Sequence, residues 1–292
     1  MKGVITALVT PFTKMDTVDL ELLSKLLQKQ IDANIDGIVL LGSTGESPTI
    51  EEDERREIFA HAKEKVGTKT KLIFGTSGNS TKYAIRRAQE AEKLGADALL
   101  VTTPYYNRPT QEGIFLHFEA IANAVSIPII VYNVPSRTGQ NIETSTLCRL
   151  KDIKNIQGVK EASGNILQIQ DVIEKVSRVK SGFSVFSGDD MLFLNVMALG
   201  GDGVISVISN VFPSHMKKLY EALNNADFKK AQNLFFEIKP FIEAAFIETN
   251  PIPIKRMLEH LEFAVGRCRA PLCTLSLCNE EKIKKVMEKT LI

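Results

Sequence analysis

Apolar runs and amphipathic stretches alternate along most of this chain. Short, nearly continuous apolar segments occur at Val4–Val9, Gly37–Leu41, Lys71–Gly75, Ala98–Thr102, Pro128–Tyr132, Ile156–Lys160, Phe183–Ser187 and Gly203–Val207. They recur about every 28 residues, the length of a strand plus its helix. Between them, helical spacing of apolar residues predicts helices over Leu20–Ala33, Glu51–Lys65, Thr81–Leu94 and Gln111–Ala124. Continuously apolar strands belong in a parallel sheet covered by helices. Eight such units predict an α/β fold, a (β/α)8 TIM barrel spanning residues 1–226. Beyond Val207 only helical patterns remain, at Pro213–Leu223, Phe228–Ile247, Pro251–Leu261 and Glu280–Lys289. Residues 227–292 are therefore expected to form a C-terminal helical appendage, with the Asn250-Pro251-Ile252-Pro253 segment a rigid turn inside it.

A barrel of this kind carries its chemistry at the C-terminal ends of its strands and in the loops that follow. The unusual residues of this chain gather there. GSTGES follows the second strand, TPYYNRP the fourth and YNVPSRTG the fifth, GVKEASG ends the sixth, and Ile205 lies in the eighth. Lys160 stands out because it closes an apolar strand, where burial disfavours the ammonium form and favours an amine nucleophilic toward ketones. Alternation places Lys160 on one face with Gly158 and Ala162, whose small size leaves room for a carbon skeleton. If Lys160 points inward, Glu161 points outward and is not its ion-pair partner, and Tyr132, inward by the same logic, can bring its hydroxyl toward the lysine across the barrel mouth. Taken singly, each feature has an ordinary alternative: a lysine that snorkels to solvent, a helix-capping turn at Ser43-Thr44, interface aromatics at Tyr105 and Tyr106, and a surface arginine at Arg137.

Composition narrows the function classes. The 292 residues are 44% hydrophobic and 24% charged, enough to bury a large core. With 36 basic against 35 acidic residues, charge gives no argument for nucleic acid or an anionic membrane as partner. No apolar run approaches a membrane span, and the N-terminal stretch broken by Thr10-Pro11 reads as a first strand and not a signal peptide, so a soluble, cytoplasmic protein is expected. The four histidines lie in separate helical stretches, so no metal site is expected. Cys268, Cys273 and Cys278 match no zinc or redox signature and are expected to be small core residues among leucines.

The GSTGES, TPYYNRP, YNVPSRTG, GVKEASG and GDGVISV runs together resemble the dihydrodipicolinate synthase family, within the pyruvate-dependent class I aldolases that include N-acetylneuraminate lyase. The likeness extends from the first strand to the NPIPIK segment at Asn250–Lys255. It implies condensation of pyruvate with L-aspartate 4-semialdehyde in diaminopimelate and lysine biosynthesis, with no metal or organic cofactor. Lys160 would form the imine with pyruvate, and Tyr132 would transfer protons. Ser43, where the family usually has threonine, would link Tyr132 to Tyr106, a tyrosine lent by a neighbouring subunit. Thr44 would hold the pyruvate carboxylate, Ile205 would line its pocket, and Arg137 would clamp the carboxylate of the semialdehyde. The resemblance also implies a homo-oligomer, a homotetramer built from two tight dimers. A sialic acid or 2-keto-3-deoxy-sugar lyase would keep Lys160 and Tyr132, but Arg137 suits a second carboxylate better than a polyhydroxylated chain. A non-catalytic homologue that binds a small acid is the alternative from another class.

Overall fold

The computed structural model describes residues 1–289. Its strands are β1 (Gly3–Ala7), β2 (Gly37–Leu40), β3 (Lys71–Gly75), β4 (Ala98–Thr102), β5 (Ile129–Asn133), β6 (Ile156–Glu161), β7 (Ser184–Ser187) and β8 (Gly203–Ser206). They follow one another in chain order around a closed barrel, paired in parallel. All eight predicted strands form, with small shifts at their ends. Proline has no N–H to give to a ladder, and β5 begins one residue after Pro128. Leu41 adopts a left-handed φ of 54°, which ends β2 at Leu40. Leu8 and Val9 leave β1, and the Val9 N–H is taken by the Asn210 side chain at 3.1 Å.

The described chain divides into two compact units, residues 1–3 with 71–205, and residues 4–70 with 206–289. The first holds β3 to β7 and most of β8. Its helices are α1 (Thr81–Lys93), α2 (Gln111–Ala122), α3 (Pro135–Thr138), α4 (Thr144–Leu150), α5 (Ile166–Val172) and α6 (Phe193–Ala198). Register stacks the residues of this unit in rows. Val101, Val131, Val159 and Val185 stand side by side, all fully buried, and the next row is Thr102, Tyr132, Lys160 and Phe186. Because successive strand residues face opposite ways, the valine row faces the helices and the next row faces the barrel interior.

The second unit holds β2, most of β1, α7 (Leu20–Asp32), α8 (Glu52–Val66) and the C-terminal helices α9 (Pro213–Asn224), α10 (Phe228–Ala245), α11 (Ile252–Glu259) and α12 (Leu277–Met287). The side chain of Asp19 caps α7 through the Leu22 N–H, and Glu51 and Glu54 form a capping box at the start of α8. The cysteine expectation fails here: Cys273 and Cys278 are exposed and Cys268 is half-buried. They lie in the irregular segment before α12 and at its start, where Leu277 is also exposed, so the leucines around them do not build a core.

One buried histidine should make stability depend on pH. His117 lies on the inner side of α2, bonded through Nδ1 to the Thr81 hydroxyl at 2.9 Å, and burial lowers its pKa from 6.5 to about 4. An unfolded chain takes up a proton near pH 6.5 and the folded one only near pH 4, so the contribution is complete above pH 6.5 and is lost as pH falls. Urea titrations should show a loss of about 2 kcal/mol between pH 7.5 and 5 from this group, approaching about 3 kcal/mol at its limit. His117→Gln, which can keep the Thr81 bond, should flatten that slope; an unchanged slope would remove His117 as its source.

Candidate active site

Lys160 and Tyr132 meet inside the first unit. The two residues are register partners on β6 and β5, and both are buried, at 5% and 6% exposure. The Lys160 Nζ lies 4.3 Å from the centroid of the Tyr132 ring. Tyr132 therefore sits beside the lysine on the adjacent strand and not across the barrel mouth, because parallel pairing with this register makes them immediate neighbours. Space around the lysine depends on a glycine. A Cβ on Gly188, just past β7, would stand 2.6 Å from the Ala162 Cβ and 3.1 Å from the Lys160 Cε. On Gly158, two residues before Lys160, a Cβ would stand 2.9 Å from the Ser184 carbonyl oxygen. Ile205, in β8, is fully buried.

Behind this pair, on the helix-facing side, lies a second register pair, Asn133 and Glu161, both almost fully buried. The Glu161 carboxylate accepts from the Ser163 N–H at 2.7 Å, from Asn133 Nδ2 at 3.0 and 3.2 Å, and from Gln168 Nε2 at 3.2 Å. As expected from alternation, it does not pair with Lys160. Sequence reasoning passed over Asn133 and Gly188 and gave Glu161 no role. A usable signal was present in Asn133 and Glu161: each is a polar residue directly after an interior chemical residue, at the end of an otherwise apolar strand.

Tyr106 and Arg137 lie outside that buried pair. Tyr106 follows β4, is 92% exposed, and holds a left-handed φ of 73° uncommon for a bulky residue. Arg137 sits on the exposed side of α3, the single helical turn after β5.

Ser43 and Thr44 belong to the second unit, in the turn after β2. Ser43 is half-buried. Thr44 is buried, its Oγ1 accepting from the Asn250 side-chain amide at 2.9 Å, and the Thr10 hydroxyl donates to the Gly45 carbonyl at 2.7 Å. Glu46 ends the turn with a left-handed φ of 54° and places its carboxylate 2.6 Å from the Lys255 ammonium, both almost fully buried. Burial pushes the Lys255 pKa down, and Glu46 opposes that shift. The Arg269 N–H donates to the same carboxylate at 2.9 Å. Asn250 and Lys255, which the sequence offered only as parts of a turn and a motif, are thus the anchors of the GSTGES turn. Among the described residues, no group of three His, Cys, Asp or Glu side chains is placed to hold a metal ion.

Comparisons with known proteins agree with this arrangement. The model of the dihydrodipicolinate synthetase family matches residues 1–290. A 4-hydroxy-tetrahydrodipicolinate synthase of Protochlamydia amoebophila is 50% identical over 289 residues, 99% of this chain and 96% of its own. A dihydrodipicolinate synthase structure from Thermotoga maritima superposes with a TM-score of 0.96 at 39% identity, covering 99% of this chain and 98% of its own. A structure described as the first monomeric dihydrodipicolinate synthase variant reaches a TM-score of 0.97 at 39% identity, covering 99% and 96%. By barrel, strand-end residues and full-length similarity together, this chain belongs to the dihydrodipicolinate synthetase family.

Proposed function

We propose that this chain condenses pyruvate with L-aspartate 4-semialdehyde through a Schiff base on Lys160, as a 4-hydroxy-tetrahydrodipicolinate synthase of diaminopimelate and lysine biosynthesis. The observation that carries the proposal is the buried Lys160–Tyr132 pair, with room beside the lysine left by Gly188. The amine attacks the pyruvate ketone, and the carbinolamine loses water to give an iminium. That cation is an electron sink, so the methyl group loses a proton and becomes an enamine. The enamine carbon attacks the aldehyde carbon of the semialdehyde. Its amino group then attacks the former ketone carbon, closing the ring and releasing Lys160 as the free amine.

These steps need protons delivered and removed at nitrogen and oxygen, and Tyr132 beside Lys160 takes that role. A phenol acts slowly near neutrality without a partner hydroxyl, and Ser43 and Tyr106 take that part. The 92% exposure of Tyr106 supports its being lent to a neighbouring subunit. Thr44 is assigned to the pyruvate carboxylate, Ile205 to the wall of its pocket, and Arg137 to the carboxylate of the semialdehyde. We take the working form to be a homotetramer of two dimers located in the cytoplasm, with residues 1–226 as catalytic barrel and 227–292 as helical appendage. Analytical ultracentrifugation tests the assembly directly, since one structural neighbour is a monomeric variant. No described helix is long and apolar enough to cross a membrane.

Borohydride reduction in the presence of pyruvate should leave a stable adduct on Lys160, located by peptide mass spectrometry. Lys160→Ala should abolish it, and an adduct surviving on another lysine would overturn the assignment. Tyr132→Phe should keep the fold and pyruvate binding while losing about 10²–10⁴ in kcat, the usual worth of general acid–base catalysis.

Arg137→Ala should raise KM for aspartate semialdehyde by about 10- to 150-fold with little change for pyruvate, since a charge-assisted bond to a carboxylate is worth roughly 1.5–3 kcal/mol. Equal effects on both substrates would mean that Arg137 shapes its loop and binds neither acid.

A further inference from the structure

Behind the reactive pair, one buried amide closes the loop that carries Arg137. Asn133 stands at the end of β5, immediately before the segment that leads into α3. Its Oδ1 accepts from the Ile142 N–H at 3.0 Å, and its Nδ2 donates to Asn141 Oδ1 at 2.8 Å. A single side chain thus holds both ends of the 133–142 loop together. The same Nδ2 donates to the Glu161 carboxylate, next in sequence to Lys160. Gln168 of α5 closes the cluster from outside, exchanging bonds with Asn141 at 2.7 and 3.2 Å and donating to Glu161 at 3.2 Å.

Burying a carboxylate costs free energy unless its lone pairs are filled. Here the donors are a backbone N–H and two side-chain amides, all neutral. Each amide is oriented by a further bond, so the polarity of the cluster is fixed in one sense: Ile142 N–H to Asn133 Oδ1, then Asn133 Nδ2 to Glu161. A packed network of this kind has one low-energy arrangement. It rigidly links the residue after Lys160 to both ends of the loop bearing Arg137.

We infer that Glu161 and Asn133 are positioning residues that set the placement of Arg137 relative to the Lys160 imine, and so govern use of the second substrate and not formation of the imine. This inference rests on the synthase function proposed above. Neither residue touches the reacting atoms; both act through the loop they hold.

The test is a donor–acceptor swap. In Glu161→Gln the side-chain oxygen can keep the Ser163 N–H, but the new NH2 faces the Nδ2 of Asn133 and the Nε2 of Gln168, which also donate. The amide of Asn133 cannot turn over without losing Ile142. KM for aspartate semialdehyde should rise about 10- to 100-fold, the scale of effect of displacing a binding group by about an ångström. KM for pyruvate should stay within about twofold, and the borohydride adduct on Lys160 should form as in the wild type. Adding Asn133→Asp to Glu161→Gln restores a carboxylate to the cluster. It supplies an acceptor for the Ile142 N–H and for the amide introduced on β6. The paired amides of Asn141 and Gln168 turn over together, so that Asn141 donates to the new carboxylate and Gln168 accepts from the new amide, and most of the loss should be recovered. Wild-type kinetics in Glu161→Gln, or equal losses for both substrates without recovery in the double variant, would overturn the inference. Should Glu161→Gln fail to fold, Asn141→Ala, at the half-buried outer end of the clasp, must show the same split between substrates, and equal KM values would overturn it. Failure of the wild type to trap pyruvate would instead sink the proposed function itself.

Discussion

Side-by-side register between β5 and β6 is the constraint on which the arrangement of the candidate site depends. Parallel pairing sets Tyr132 against Lys160 and Asn133 against Glu161. Alternation then sends the first pair to the barrel interior and the second to the helix side. A slip of one residue in β6 would put the Glu161 carboxylate where the Lys160 amine now stands, and one in β5 the Asn133 amide where the Tyr132 phenol stands. The row below opposes such a slip, because a slipped β5 or β6 would carry its own fully buried valine, Val131 or Val159, off the face that the helices cover.

Small residues complete what register begins. A lysine side chain needs length to reach a substrate and room to bend, and Gly188 gives that room where a methyl group would collide with Ala162 and crowd the Lys160 Cε. In the proposed reaction, pre-organisation of this kind would remove part of the entropic cost of bringing amine and ketone together.

In the second unit a different device holds the GSTGES turn. Glu46 and Lys255 form an ion pair at 2.6 Å with both side chains almost wholly buried. Such a pair adds little net stability against an apolar substitute, yet losing one partner leaves an uncompensated charge, typically at a cost of about 3–5 kcal/mol. Its value here is positional. Lys255 of α11 and the Arg269 N–H fix the Glu46 carboxylate, while Asn250 fixes the Thr44 hydroxyl, so the C-terminal helices anchor a turn some two hundred residues earlier in the chain.

Much of this molecule was legible in the order of its residues. Continuous apolar strands, bounded by turns and separated by amphipathic helices, reveal a parallel barrel because both faces of each strand must be buried. Lys160 and Tyr132 were visible as polar residues ending such strands, and the period of two put Glu161 on the face opposite Lys160. The sequence by itself could not show that Tyr132 lies beside Lys160, since register is decided by pairing between strands and it shifts between Ile129 and Ile130. Nor could it show that Cys273 and Cys278 are exposed, because spacing among leucines does not say whether a segment has a core to face. The Asn133–Glu161 clasp, the room at Gly188 and the anchors Asn250 and Lys255 were set by tertiary structure alone. Each is a contact between residues far apart along the chain, or a space whose size depends on what packs opposite it.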